Sequence, residues 1–474
     1  MASSANQNVQ LLNYYIFNPT LSNSEFAEKQ KQKILFYWPK DDSLDRQLRN
    51  IGLCEAMINF TRAFNPSKLC EAVRTLRTRQ VLYEAEPDIW MVMRVSIPCF
   101  EVVSGSDRVI EYHDEMVQDS ILQAALETSY QMFKLFNNSF AYAEEHYGNE
   151  GLKNRMERFF TRYLMTMDVN KLDIFMLYKG IQFLPLDKNM FLKVHYLVNQ
   201  LESTFRQICR SVFLYGDQLV WSGLEHDDMQ IFYNYLVTSL FPAHFSSSDI
   251  QQSGATTFQF ATQAPTNQSP QGGCFLLGQN TRQSMEQPSG KSTTVFITLD
   301  GQLTSCRLFV YHAQNSTLCF FVNENEDSLS ASDPVDFCKR VDTFLGPLLS
   351  KSSRDIREFC SKAKPTGLEQ QYRFIYFNQV NLAVKSSLFS KRPPNNTISP
   401  DIMKLIGEIS AEYQYVEDNE TIARTRSDCW IVCRKSGQRQ FFVVISQKSA
   451  NFTEINDEIR RLCTKEFTNI FFLD

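Results

Sequence analysis

At 474 residues the chain has room for about three domains, and 43% hydrophobic residues, with phenylalanine present 38 times, can fill three aromatic-rich cores. A formal charge of −5 excludes a globally basic nucleic-acid binder but allows local basic patches. Apolar runs such as WMVM (Trp90 to Met93) and FFVVI (Phe441 to Ile445) fall far short of the ~20 residues that span a bilayer, and MASSANQNVQ has neither the basic nor the apolar region of a signal peptide, so a cytoplasmic chain is expected.

Residues 1–9 read as a disordered N-terminus, and a first unit follows over about residues 10–170. It opens on two strands, LLNYYIF (Leu11 to Phe17) and KILFYW (Lys33 to Trp38), rich in the aromatic and β-branched residues that suit a pleat. A helix over RQLRNIGLCEAMINFTRAF ends at Asn65-Pro66. Strand-like runs come next at RQVLYEA, IWMVMRVSIP, EVVSG and RVIEYH, and two helices, EMVQDSILQAALETSYQMFKLF and LKNRMERFFTRYLMTM, close the unit. Strands, helix, strands, helices is the order of an α+β domain whose helices cover an antiparallel sheet.

A second unit spans about residues 171–352. It holds a helix (Asn189 to Ser203), the strand pair SVFLYGD and QLVWSGL, and a helix starting at His226-Asp227-Asp228. Residues 244–292 are rich in Ser, Gln, Thr, Gly and Pro, too poor in apolar surface to offset their ordering entropy, and read as a disordered insertion. Strands resume at TTVFITLDG, CRLFVYH and LCFFVN, and a helix (Pro334 to Leu349) closes the unit. After a linker over residues 353–367, a third unit over residues 368–474 has YRFIYFN, a helix from Pro400, the strand pair CWIVCRKSGQRQFFVVI and a last helix. One strand-and-turn pattern, LLNYYIFNP, SVFLYGDQLVW and YRFIYFNQVNL, thus appears once in each unit. Three similar small domains describe an assembly or recognition protein.

A search for chemistry returns little. Gly290-Lys291-Ser292 resembles the end of a phosphate-binding loop, but Met285 stands where the loop glycine belongs. Cys429 and Cys433, at i and i+4 of a strand, would lie ~13 Å apart on one face, too far for a shared metal or a disulfide. The twelve cysteines have no framework spacing and read as small hydrophobes in a reducing compartment. The acids of His226-Asp227-Asp228 precede an apolar-periodic helix and suit its N-terminus. The six histidines form no ligand pair, and neither a GxSxG elbow nor a Gly-rich dinucleotide loop appears. No catalytic residue, cofactor or metal is expected.

Two features point to surfaces. In the first long helix, Leu53, Met57, Phe60 and Phe64 mark a buried stripe, widened by Leu48, Ile51, Cys54 and Ile58. The opposite arc then holds Arg49, Gly52, Glu55, Asn59 and Arg62, where Gly52 removes a side chain in the path of an approaching backbone. That arc is either a solvated face with a tolerated glycine or a docking surface. In the third unit Arg424, Arg426, Arg434, Lys435 and Arg439 cluster around a strand–turn–strand and should crowd near one sheet end. They are either solvated edge charges or a patch drawing anionic lipid headgroups at ~1 kcal/mol per nearby cation.

The stretches RNIGLCEAMINFTRAFNPSK, FLPLDKNMFLKV, FLYGDQLVWSGLEHDDMQIFYNYL and FTNIFFLD resemble the Ccz subunit of the Mon–Ccz vacuolar fusion complex. The resemblance covers nearly the whole chain and is weakest in the first ten residues and in residues 244–292. It implies three longin domains, each an antiparallel sheet flanked by helices. It also implies pairing with a Mon-type tri-longin subunit into the guanine nucleotide exchange factor of the late-endosomal Rab GTPase, with a third scaffold-like subunit in animals. In such a complex the first longin domains together form the GTPase platform, and this chain has no chemistry and little activity alone. Peripheral recruitment to endosomal, lysosomal or autophagosomal membranes bearing anionic lipid or phosphoinositide follows from the same resemblance. A longin-type trafficking scaffold or tether without exchange activity is the alternative, and a cytosolic enzyme built from dispersed residues a further one.

Overall fold

The aromatic runs of the sequence form strands buried on both faces, which is why they lack the polar alternation of a half-exposed strand. A computed structural model of the chain describes residues 8–22, 26–66, 70–104, 107–172, 174–244, 273–276, 293–323, 334–362, 372–387, 398–413, 419–425, 428–447 and 449–466. The chain folds as two compact units, Met1–Leu177 with Ser399–Gly407, and Tyr178–Ile398 with Glu408–Asp474.

In the first unit β1 (Leu11–Phe17), β2 (Ile34–Trp38), β3 (Ala72–Arg74), β4 (Thr78–Glu86) and β5 (Ile89–Ser96) form one antiparallel sheet in the order β2-β1-β5-β4-β3. A separate hairpin, β6 (Cys99–Ser104) and β7 (Asp107–Tyr112), stands outside it. Alternate residues of β1 serve two cores. Tyr15 and Phe17 join Tyr37, Leu82, Trp90 and Val92 under α1 (Leu44–Phe64). Tyr14 and Ile16 join Phe36, Val81, Met91 and Met93 under α2 (Asp119–Asn137) and α3 (Phe140–Thr166), where the Phe133 and Phe160 rings stack.

One carboxylate ties the second core together. Glu86 Oε1 accepts from the Tyr130 hydroxyl at 2.8 Å and the Phe140 amide at 2.5 Å, and Oε2 accepts from the Ala141 amide at 2.9 Å. The two amides are orphan donors at the N-terminus of α3, where a negative charge is favoured. We expect Glu86→Ala to lower unfolding stability by about 2–3 kcal/mol in urea titrations, because three donors lose a charged acceptor. A loss under half that size would show that water replaces the carboxylate.

The second unit holds two sheets. In one, β8 (Ile208–Tyr215), β9 (Gln218–Ser222), β10 (Cys274–Leu276), β11 (Thr293–Leu299), β12 (Gln302–Ala313) and β13 (Ser316–Asn323) run in the order β9-β8-β13-β12, with β11 and β10 both paired to β12. Helices α4 (Lys188–Thr204), α5 (His226–Tyr235) and α6 (Pro334–Lys362) accompany it. In the other, β14 (Arg373–Asn378), β15 (Ala383–Ser386), β16 (Asn419–Arg424), β17 (Trp430–Ser436) and β18 (Arg439–Ile445) run β15-β14-β18-β17-β16, with α8 (Phe452–Glu466) and the end, residues 408–412, of α7 (Pro400–Glu412), whose earlier residues are grouped with the first unit. All three sheets therefore share the lane order second, first, fifth, fourth, third, and the recurring aromatic motif is the first strand of each.

The two sheets of this unit are joined by residues 181–184. Ile181 exchanges backbone hydrogen bonds with Leu382 and Val384 (2.7 and 2.9 Å), while Gln182 and Leu184 both bond Leu219 in β9 (2.7 and 3.0 Å). Gly180 is required at this crossing, because a Cβ there would sit 2.6 Å from the Val384 Cβ.

Several boundaries differ from the sequence reading. The helix expected to stop at Leu349 continues through Lys362, across most of the expected linker over residues 353–367. Leu345, Leu349 and Ile356 keep its apolar face buried, and it continues past Pro347. The insertion over residues 244–292 contains β10, whose Phe275 packs edge-on to Tyr311 at 5.0 Å, so three of its residues extend the outer lane of the sheet. Val9, placed in the disordered N-terminus, exchanges two bonds with the Asn170 side chain (2.9 and 3.1 Å). Asp227 and Asp228 lie in the first turn of α5, as expected, and Asp228 also accepts the Thr298 amide of β11 at 2.5 Å. Gly290-Lys291-Ser292 lies outside the described residues.

Candidate functional site

Helix α1 carries apolar residues on two arcs, and polar anchors on the sheet decide which arc faces in. The Tyr15 hydroxyl and the Gln80 amide both reach Cys54 Sγ at 3.0 Å. Asn50 donates to the Tyr37 hydroxyl at 2.7 Å, and Lys33 pairs with Glu55 at 2.9 Å. Tyr37 in turn donates to Asp42, which also accepts from Asn13 and pairs with Arg46. Burial raises the Tyr37 hydroxyl to about 12 and the Cys54 thiol to about 11, so both remain protonated at neutral pH.

This rotation buries Ile51, Cys54 and Ile58, and it overturns the expected buried stripe. Leu53, Phe60 and Phe64 face solvent at 51%, 62% and 76% exposure, with the two rings 4.7 Å apart. Periodicity could not choose between the arcs, because both recur at helical spacing. The informative signal was their combined width, too large for one buried face.

Of the predicted arc, Arg49, Gly52, Asn59 and Arg62 are exposed, whereas Glu55 is half-buried against Lys33. A Cβ at Gly52 would meet nothing within 4 Å, so the glycine relieves no internal crowding. The outer surface of α1 is thus an apolar stripe bordered by small and charged residues. Isolated exposed hydrophobics are ordinary, but a contiguous aromatic stripe marks a contact surface.

The basic cluster of the third unit is divided. Arg424 pairs with Asp428 at 3.0 Å and lies over the Trp430 ring at 5.4 Å. Arg434, opposite Glu420 in the register, pairs with it at 2.8 Å and reaches Cys463 Sγ, while Lys435 donates to the Tyr413 carbonyl. Arg439 stands beside the turn, opposite Ser436. Arg424 and Lys435 occupy opposite ends of β16–β17, ~16 Å apart at 3.3 Å per residue. Only Arg434, Lys435 and Arg439 therefore share one sheet end, contrary to the expected crowding of the whole cluster, and Arg426 lies outside the described residues. The strand register, invisible in the linear spacing, separates them.

Comparison with known proteins assigns each sheet. The family model described as the first longin domain of INTU, CCZ1 and HPS4 matches residues 11–138. Intu longin-like domains 2 and 3 match residues 208–346 and 368–462. Among curated relatives, the vacuolar fusion protein CCZ1 homologue of Nematostella vectensis is 45% identical over 98% of both chains. The Xenopus laevis homologue is 37% identical over 98% of this chain and 97% of its own, and that of Dictyostelium discoideum 29% identical over 97% and 98%. The chain belongs to the CCZ1 family.

In this CCZ1-family chain the α1 stripe lies within the first longin domain, and the divided basic cluster within the third. Among the described residues no helix is long and apolar enough to cross a membrane, and no group of three or more His, Cys, Asp or Glu side chains could hold a metal.

Proposed function

We propose that the chain is the CCZ-type subunit of a heterodimeric guanine nucleotide exchange factor, acting on the late-endosomal Rab GTPase together with a Mon-type tri-longin partner. The relatives' shared name, vacuolar fusion protein, supports a role in vacuolar fusion. The observation that carries the partnership is the solvent-facing stripe Leu53–Phe60–Phe64. Apolar surface of this kind suits a permanent interface, which is more hydrophobic than a transient one. We assign the stripe to the Mon-type subunit.

Exchange needs no nucleophile. A factor that binds the nucleotide-free GTPase more tightly than the loaded form must, by linkage, weaken nucleotide binding by the same factor. Endosome maturation, autophagosome and lysosome fusion, a third scaffold subunit in animals, and peripheral recruitment to an anionic or phosphoinositide membrane belong to the same proposal.

The test is release of a fluorescent GDP analogue from a panel of Rabs, with the chain alone, the Mon-type subunit alone, and both together. The expected result is acceleration of the late-endosomal Rab by the pair only. A stable pair that accelerates no Rab would leave a trafficking scaffold or tether as the function.

A further inference from the structure

At the base of the β6–β7 hairpin the first unit holds a cavity of about 410 Å³, lined by Phe100, His113, Glu115, Met116 and Asp401. Three local elements bring these residues together. The His113 amide donates to the Pro98 carbonyl at 2.9 Å and closes the hairpin, and the short turn Asp114–Met116 then sets Glu115 and Met116 against it. Asp401 comes from the first turn of α7, in the stretch grouped with the first unit. The Phe100 ring meets His113 edge-on at 4.8 Å, and Met116 is 42% exposed.

This lining is acidic and apolar. His113 Nδ1 lies 2.6 Å from Glu115 Oε1, and among the described residues neither the other Glu115 oxygen nor the Asp401 carboxylate has a partner. No lysine or arginine lines the cavity, and Arg79, the cation beside this turn, is committed to Asp114 and Asp119. Glu111, opposite Phe100 in the hairpin register, is exposed on the same face and adds a third carboxylate. Val109 follows on that face at 53% exposure and extends the apolar side. Carboxylates beside an aromatic ring and a thioether are complementary to a guanidinium, which stacks on rings and offers carboxylates a planar fork.

We propose that this cavity receives an arginine side chain presented by a partner protein. The acids set the sign of the guest, Phe100 and Met116 cover its planar group and stem, and Val109 and Glu111 continue the contact along the hairpin. An arginine suits such a mixed site because its stem is apolar while its head is charged. A two-stranded ribbon has little stability of its own and gains from a covering chain. The site uses no residue of the α1 stripe, so its occupant is an interaction beyond the pairing proposed for that helix.

The full-length chain with isotope-labelled methionine methyls reports on the cavity through Met116, whose NMR signal is assigned by its loss in Met116→Leu. N-acetyl-arginine N-methylamide, a blocked arginine, should shift that signal saturably, and the uncharged citrulline analogue should leave it in place. Asp401→Asn and Glu115→Gln should each raise the half-saturating concentration about threefold, the size expected of a partly exposed charge pair, and together about tenfold. Added salt should weaken binding to the parent more than to the double variant. Unchanged signals from the other methionines verify the fold of each variant. An equal response to the citrulline analogue, or parental affinity in the double variant, overturns the cation site. A Met116 signal unmoved by the blocked arginine overturns the proposal outright. Tighter binding of free L-arginine than of the blocked form would make the occupant a free amino acid. A response to phosphatidylcholine vesicles alone would make it a lipid ammonium, and either result removes the partner protein.

Discussion

Replacing Phe60 with Asp and Phe64 with Ser should abolish stable association with the Mon-type subunit while leaving the free chain's unfolding temperature within a degree or two of the parent. The two rings touch one another and are mostly solvent-exposed, so removing them opens no cavity in the core under α1. Burying a phenylalanine against a partner is worth about 1.5–3 kcal/mol. Losing two removes about 3–6 kcal/mol, and the aspartate adds the desolvation of a charge, so the dissociation constant should rise at least a hundredfold. The double variant should also reduce self-association of the purified chain, since the exposed stripe is the surface through which copies would stick. Ile58→Asp is the contrasting control: Ile58 lies on the buried arc, and a charge there should unfold the first unit. Measured by titration calorimetry and gel filtration, a double variant that binds like the parent would remove α1 as the partner surface.

The strands were legible because sequence and burial agree: the YYIF run of β1 is apolar at consecutive positions and is buried on both faces. The shared lane order of the three sheets was not legible, because β3, β15 and β16 are short or polar edge strands with little apolar signal. For α1 the sequence supplied both arcs and no means of ranking them, since the ranking depends on Tyr15 of β1, Gln80 of β4 and Lys33, just before β2, meeting the helix. Gly52 drew attention for its lack of a side chain, yet the contact surface is marked more strongly by Phe60 and Phe64, which periodicity had assigned to the core. The reading of nucleotide exchange came from resemblance over the whole chain, which no single motif could have supplied.

Mild acid should destabilise the second unit through His312. This residue lies in β12 at 8% exposure, its Nδ1 is 3.0 Å from the Thr317 hydroxyl, and β10 pairs with it through Cys274. Burial, with a smaller repulsion from His244, lowers its pKa from 6.5 to about 4 despite a backbone hydrogen bond to Gln314. Above pH 6.5 the imidazole is neutral in both folded and unfolded chains, so it contributes no pH dependence. Between pH 6.5 and about 4 the unfolded chain binds a proton that the folded chain refuses, and stability therefore falls as pH falls. A shift of this size corresponds to about 3 kcal/mol once pH reaches the folded value. His312→Gln should keep a polar contact to Thr317 and lose this component, giving a shallower decline in urea midpoints between pH 7 and 5 than the parent shows. The carboxylates of the chain titrate equally in both proteins and cancel in the difference. Parallel declines for parent and variant would mean that His312 accepts its proton without unpairing β10 from β12.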